Sequence, residues 1–210
     1  NLQTGRRVAI KRMGDAAPDR IAARRLQREL SILRRLRGHP NIVSAMDLKV
    51  VSHPASCITT QDRRDVIDVY LVTDLLLVDL ARMLDSQYLF SAEQVRCVLW
   101  QLFRSLRHTH ACGVIHRDIK PGNLLLDPLW RVELCDFGIA RSARDFDMSR
   151  PHEEHNRWFT DYVVTRPYRA PELLMGSRNY TAAVDMWSAG CMIAEILSNQ
   201  YPAHESPLSR

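Results

Sequence analysis

The chain has 210 residues, 46% of them hydrophobic and 25% charged, with a formal net charge of +5. That balance is globular, with enough chain to bury a core and too much apolar content for a disordered or collagen-like tract. No apolar run approaches the roughly 20 residues of a membrane-spanning helix, and Asp74 and Asp79 interrupt the longest candidate, which excludes a transmembrane segment.

The five cysteines, Cys57, Cys97, Cys112, Cys135 and Cys191, form no CxxC pair and no metal-ligand spacing. An odd, unpaired set points to free thiols in a reducing compartment, and so to a cytoplasmic or nuclear chain. Of the 29 basic residues 26 are Arg, and the only lysines are Lys11, Lys49 and Lys120. Clusters such as Arg24-Arg25-Arg28 and Arg34-Arg35-Arg37 admit a nucleic-acid reading. Apolar residues interleave with them at helical spacing, so a solvated helix face is the better account. Neither a direct nucleic-acid partner nor a membrane is expected.

In chain order, residues 7–12 read as a strand with Ala9 and Lys11 on one face and Val8 and Ile10 on the other. Pro18-Asp19 opens a helix reaching about Leu36, with Leu26, Leu30, Leu33 and Leu36 near helical spacing, and Gly38-His39-Pro40 ends it. The stretch 47–72 reads as two strands joined by a polar loop at 59–65, with Val69, Leu71 and Thr73 alternating against Tyr70 and Val72. Beyond Asp74 the pattern turns helical. Ser91 and Gln94 form a capping box for a helix whose core positions are Val95, Val98, Leu99, Leu102, Phe103 and Leu106, and Gly113 stops it. Strands follow at 124–126 and 132–135 around an Asp127-Pro128 turn, then a polar loop at 142–158, then a helix at 182–197 capped by Thr181. There is no internal repeat. The order implies two lobes meeting near residues 74–79.

Five short features then fall in one order: Val8-Ala9-Ile10-Lys11, Glu29 in the first helix, His116-Arg117-Asp118-Ile119-Lys120-Pro121-Gly122-Asn123, Asp136-Phe137-Gly138, and Ala170-Pro171-Glu172. Any one of them is weak; together, in order and on suitable elements, they are specific. On these residues the chain resembles the catalytic domain of eukaryotic protein kinases. The resemblance implies an α+β, two-lobed kinase fold. Residues 1–74 would form a small β-rich lobe with one helix, and residues 75–210 a larger helical lobe running through the helix that carries Asp185. A Gly-rich phosphate loop is expected before Asn1, and further helices beyond Arg210.

Phosphoryl transfer is mostly positioning and charge neutralisation, which suits these residue types. Lys11 would offer a point charge to the nucleotide phosphates, held by Glu29, which lies 18 residues on and returns along a helix. Asp118 would handle the proton of a substrate hydroxyl, and Lys120 would reach the transferred phosphate. Asn123 and Asp136 would supply oxygens to Mg²⁺, a hard cation. With three lysines among 29 basic residues, finding Lys at both 11 and 120 by chance has a probability of about 0.7%, so these sites need a compact ammonium rather than a broad fork.

Thr160-Asp161-Tyr162, just ahead of Val163-Val164-Thr165-Arg166-Pro167-Tyr168-Arg169-Ala170-Pro171-Glu172, resembles the activation lip of mitogen-activated protein kinases. That likeness implies an ATP- and Mg²⁺-dependent, proline-directed serine/threonine kinase switched on by phosphorylation of Thr160 and Tyr162. Its partners would be protein substrates with Ser/Thr-Pro sites and an upstream dual-specificity kinase. It also implies Thr73 as gatekeeper, adenine hydrogen bonds to the backbone of Asp74 and Leu76, and Ala9 and Leu125 around the ring. Arg28, Arg117 and Arg141 would receive the phosphothreonine, and Arg166 and Arg169 the phosphotyrosine. A cyclin-dependent-like kinase is the alternative that Tyr162 disfavours; a pseudokinase or scaffold is the one the two lysines weigh against. Pro167 stands where the family usually has Trp beside the substrate groove. His152-Glu153-Glu154-His155 is one residue short of the HExxH zinc pattern and falls in the unperiodic loop. Cys135 reads by default as a buried, inert thiol, while the resemblance to some family members makes it a possible electrophile target.

Overall fold

The computed structural model describes Gly5 and residues 7–13, 20–53, 66–142, 166–177 and 180–200. Three antiparallel strands, β1 (Val8–Met13), β2 (Ala45–His53) and β3 (Val66–Asp74), make the first sheet in the order β1-β3-β2. The expected alternation on β3 holds: Val69 and Leu71 are buried while Tyr70 and Val72 are only half-buried. Lys11 lies opposite Leu71 and Ala9 opposite Thr73 in the β1–β3 register, so all four share the inner face.

Helix α1 (Arg20–Arg35) puts its C-terminal turns into the same hydrophobic cluster as Leu71 of β3. Its buried stripe is Glu29, Ile32, Leu33 and Leu36, rotated from the expected leucine row. Leu30 packs only at the margin of the core and Leu26 is half-buried. The rotation has a physical cause, because turning Glu29 inward to meet Lys11 brings Ile32 and Leu33 onto the sheet with it. Gly38, at φ +91°, turns the chain after the helix.

The next residues stitch the helix to the second lobe. Val43 N–H donates to the Leu134 carbonyl (3.0 Å) and Leu134 N–H to the Asn41 carbonyl (3.0 Å). The Asn41 amide donates to Gln101 Oε1 (2.8 Å) and to the Val132 carbonyl (2.9 Å), both buried. Buried amides paired in this way fix one geometry, so α1 is referenced to the lower lobe as well as to its own sheet.

That lobe begins with β4 (Val78–Asp79) and α2 (Leu80–Asp85), whose first turn is capped by the Asp79 carboxylate accepting from Arg82 N–H at 2.9 Å. α3 (Ala92–Ala111) carries both bonds of the Ser91–Gln94 capping box. Val98, Leu102 and Leu106 are its buried apolar positions, beside Gln101, Ser105 and Thr109; against expectation Val95 and Leu99 are only half-buried and Phe103, off the stripe, is exposed. β6 (Leu124–Leu126) and β7 (Val132–Leu134) form the expected hairpin, joined by β4 in the order β4-β6-β7. β5 (Val114–Ile115) pairs with β8 (Arg141–Ser142), which closes the neck of the segment running from His116 to Ala140. After α4 (Pro171–Leu174) comes α5 (Ala183–Gln200), with Thr181 accepting from Ala183 N–H. One hydrophobic cluster joins Leu33 and Leu71 above to Leu102, Leu124, Phe137 and Met192 below. This is the two-lobed α+β architecture. The loop at 59–65, the bulk of the loop at 142–158, Pro18-Asp19 and His152–His155 lie outside the described residues.

Candidate functional site

Lys11, on the inner face of β1, reaches two carboxylates from different elements. Its Nζ is 3.0 Å from Glu29 Oε1 on α1 and 2.9 Å from Asp136 Oδ1 below. Burial disfavours the ammonium, but Glu29 and Asp136 outweigh it and hold Lys11 above its ordinary pKa. Burial also opposes the charge of Asp136, yet Lys11 keeps that carboxyl below the usual range. Asp136 sits at φ +62°, a strained backbone for a non-glycine residue. Phe137 beside it is fully buried, edge-on to His116 at 4.7 Å between ring centroids. A side chain at Gly138 would approach Asp136 Oδ1 at 3.3 Å and Glu29 Oε2 at 3.5 Å, so the bare backbone keeps this pocket of charges open.

The second group centres on Asp118. Lys120 Nζ lies 2.8 Å from Asp118 Oδ2, and Asn123 Nδ2 donates to the same oxygen at 2.9 Å and to the Asp118 carbonyl at 2.7 Å. Asp118 N–H donates to His116 Nδ1 (3.2 Å), while His116 Nε2 meets the Cys135 carbonyl (3.0 Å). An amide N–H only donates and a carbonyl only accepts, so the ring proton sits on Nε2. The Asn123 carbonyl accepts from Cys135 N–H (2.9 Å), which sets Asn123 beside Asp136. The segments 116–123 and 135–138 are thus laced together by backbone and imidazole.

Asp185 and Asp68 have structural roles that the sequence pattern does not show. Asp185, fully buried in the first turn of α5, accepts His116 N–H at 2.9 Å and Arg117 N–H at 2.7 Å, and His110 Nε2 lies 2.8 Å from it. It holds Arg117 at φ +71°. The legible sign was a lone acid in an otherwise apolar helix start. The other, Asp68, is described below.

Among the arginines, Arg117 Nη1 donates to the Ile139 carbonyl at 3.1 Å and Arg141 Nη1 to the same carbonyl at 3.4 Å, so the two guanidinia converge. Burial first, with lesser pressure from the like charges of Arg28 and Arg169, lowers the Arg117 pKa; Tyr180 and Asp185 offset part of it. Arg117 Nε is buried with no hydrogen-bond partner among the described residues. Arg169 therefore stands within electrostatic reach of Arg117, the residue expected to serve the other phosphate. Thr160, Tyr162 and the Arg166 side chain lie outside the described residues.

Around the expected nucleotide cleft, Ala9 and Thr73 are paired across strands, Thr73 Oγ1 donates to the Asp74 carbonyl at 3.3 Å, and Leu76 is buried. Leu125, half-buried on β6, sits between Asp79 and Glu133. Beside Asp118 lies a small crevice of about 10 Å³, room for one water, lined among others by Arg117, Tyr168, Arg169 and Leu173. Tyr168 is pinned there: its hydroxyl donates to Glu195 and its carbonyl accepts from Ser188 Oγ at 2.6 Å.

Cys135 is half-buried rather than buried, and its surroundings disfavour the thiolate. Burial first, then Asp136, push its thiol up to about 12, with Lys11 only partly offsetting. In the native protein, iodoacetamide at pH 7.5 is expected to label Cys135 far more slowly than a free thiol, with no plateau in rate below about pH 10. Peptide mapping reads this directly, and ordinary thiol reactivity would contradict it.

Residues 1–209 match the family model described as protein kinase domain. The chain is 44% identical over 198 residues to Mitogen-activated protein kinase 15 of Rattus norvegicus, which covers 94% of this chain and 33% of that protein. It is 40% identical over 200 residues to Mitogen-activated protein kinase homolog NTF3 of Nicotiana tabacum, covering 95% of this chain and 49% of the relative. With Mitogen-activated protein kinase 2 of Arabidopsis thaliana the identity is 38% over 200 residues, 95% of this chain and 48% of the relative. The chain spans a third to about half the length of these curated relatives.

Proposed function

Because the chain belongs to the protein kinase family, on its mitogen-activated branch, we propose that the protein transfers the γ-phosphoryl group of ATP to serine or threonine hydroxyls that precede proline. The observation that carries this is Lys11, held at 3.0 Å from Glu29 and 2.9 Å from Asp136, because it joins both lobes at one ammonium. Such an arrangement presents a fixed point charge where nucleotide phosphates would lie.

Ala9 and Leu125 would sandwich the adenine, with Thr73 behind it and the backbone of Asp74 and Leu76 as hydrogen-bond partners. Among the described residues no cluster of three or more His, Cys, Asp or Glu could hold a metal by itself. Mg²⁺ asks for less, since it takes one or two protein oxygens alongside phosphates and water. Asp136 and Asn123 fit that demand: the Asn123 amide nitrogen is committed to Asp118, which leaves its oxygen as the donor toward a cation. Mg²⁺, when bound, neutralises charge on the phosphates. Lys120 and Asn123 both fall on Asp118 Oδ2, so Oδ1 is the oxygen that meets the substrate hydroxyl and takes its proton. Lys120 then shares its charge with the transferred phosphoryl group. The residue after the phosphoacceptor would lie beside Pro167.

Regulation follows from the arginines. Phosphate on Thr160 would be received by Arg28 from α1 and by Arg117 and Arg141 below, drawing the helix that carries Glu29 toward the catalytic loop. Phosphate on Tyr162 would meet Arg166 and Arg169. An upstream dual-specificity kinase would install both, in the cytoplasm or nucleus. The test uses the full-length protein with Mg·ATP and a Ser-Pro peptide, unphosphorylated and doubly phosphorylated. Transfer is expected to need both phosphates, and Arg28→Ala is expected to remove about ten-fold of the activation, the worth of one charge-assisted hydrogen bond. Absence of any transfer by the doubly phosphorylated protein would sink the proposal, and full activation in Arg28→Ala would remove the cross-lobe link.

A further inference from the structure

Arg12 follows Lys11 on β1 and, by strand alternation, projects from the opposite face of the sheet. There it forks onto Asp68 of β3: Nε lies 3.0 Å from Oδ2, and Nη2 3.0 Å from Oδ1 and 2.9 Å from Oδ2. The Tyr70 hydroxyl approaches Oδ2 at 3.4 Å. The Asp68 side chain is only 3% exposed, although it faces away from α1, and Arg12 lies directly across from Tyr70 in the register. A carboxylate so buried keeps its charge only among partners, and Arg12 gives it a two-point contact.

The apolar pattern of β1 does not set its own register. Ile10 is 63% exposed, β1 has a strand on one side only in the described sheet, and neither of its faces is uniformly buried. A slip of one residue against β3 would turn Lys11 to the outer face and away from Glu29 and Asp136. The bidentate pair is a geometric feature that such a slip would break, and fixing register is the best-attested use of a buried ionic group.

We propose that Arg12 and Asp68 form a register lock that positions Lys11 for the nucleotide phosphates. This rests on the function proposed above, so the readout is nucleotide affinity, which needs no phosphoryl transfer. In the full-length protein, Arg12→Gln and Asp68→Asn are each expected to weaken Mg·ADP binding by about ten-fold or more, measured by calorimetry at a temperature where each variant is folded. Hydrogen exchange should show protection lost along β1 and at the β3 amides that face it, while β2 and the β3 amides paired with β2 keep theirs. Arg12→Lys, which keeps the charge but not the fork, is expected to recover only part of the affinity. Unchanged affinity in the Gln and Asn variants would overturn the lock, as would uniform loss of protection across the sheet or an Arg12→Lys variant no better than Arg12→Gln. If the wild type binds Mg·ADP but transfers no phosphate, the proposed function falls and the affinities still judge the lock. If it binds no nucleotide, the exchange pattern decides alone.

Discussion

Asp118→Asn in the full-length protein is expected to lower phosphoryl transfer by about 10²–10⁴-fold while leaving Mg·ATP affinity within about three-fold of wild type. The split follows from where the carboxylate stands. Its contacts are to Lys120 and Asn123 and to its own loop, whereas the proposed nucleotide contacts are Lys11 and, through Mg²⁺, Asp136, on other segments. Asparagine keeps the shape and one oxygen, so the loop should survive, but the amide has no capacity to take a proton at neutral pH. Single-turnover transfer and equilibrium nucleotide binding, measured on the same preparation, separate the two quantities. Wild-type-like turnover would remove Asp118 from the proton-handling role. A parallel collapse of nucleotide affinity would show that it supports the phosphate site instead.

The site was legible in the sequence because its chemistry is carried by rare residue types in a fixed order. Lys11 and Lys120 stand out in a chain that otherwise uses Arg, and the interval from Lys11 to Glu29 leaves room for a helical return, which the 3.0 Å ion pair realises. The longer elements were legible through period and caps, as the Ser91–Gln94 box shows. What escaped had no local signal. β4, β5 and β8 are two residues each, too short to carry an alternation, and exist because partners distant in sequence complete them. Phe103 has the right chemistry for a core but lies off the α3 stripe, and the α1 stripe turned because a charged residue, Glu29, belongs inside it. Asp68 looked like an ordinary polar position on an alternating strand, and only the tertiary arrangement reveals that it is buried against Arg12. Buried acids are invisible to patterning, since their partners come from elsewhere in the chain.

Asp185 is the strongest case of that kind, and Asp185→Ala is expected to destabilise the folded protein by about 3–5 kcal/mol. The carboxylate is fully buried and accepts two backbone N–H groups, from His116 at 2.9 Å and Arg117 at 2.7 Å, besides its contact with His110. Alanine leaves both amides without an acceptor, and an unmet buried donor costs about 1–3 kcal/mol each. There is a second cost, since Arg117 stands at φ +71° and those two bonds are what hold it there. Released, the peptide would relax toward an ordinary backbone and carry the neighbouring Asp118 away from Lys120 and Asn123. Activity per folded molecule should therefore fall along with stability, whereas a mutation that merely opened a cavity would lower only the second. Asp185→Asn sharpens the comparison: it keeps the volume and one acceptor but turns a donor toward an N–H, so it should recover less than half of the lost stability. Urea unfolding of the full-length protein, paired with turnover at a temperature where each variant is folded, reads both effects. An Asp185→Ala variant within about 1 kcal/mol of wild type, or one with wild-type turnover, would mean that α5 does not hold the catalytic loop in this way.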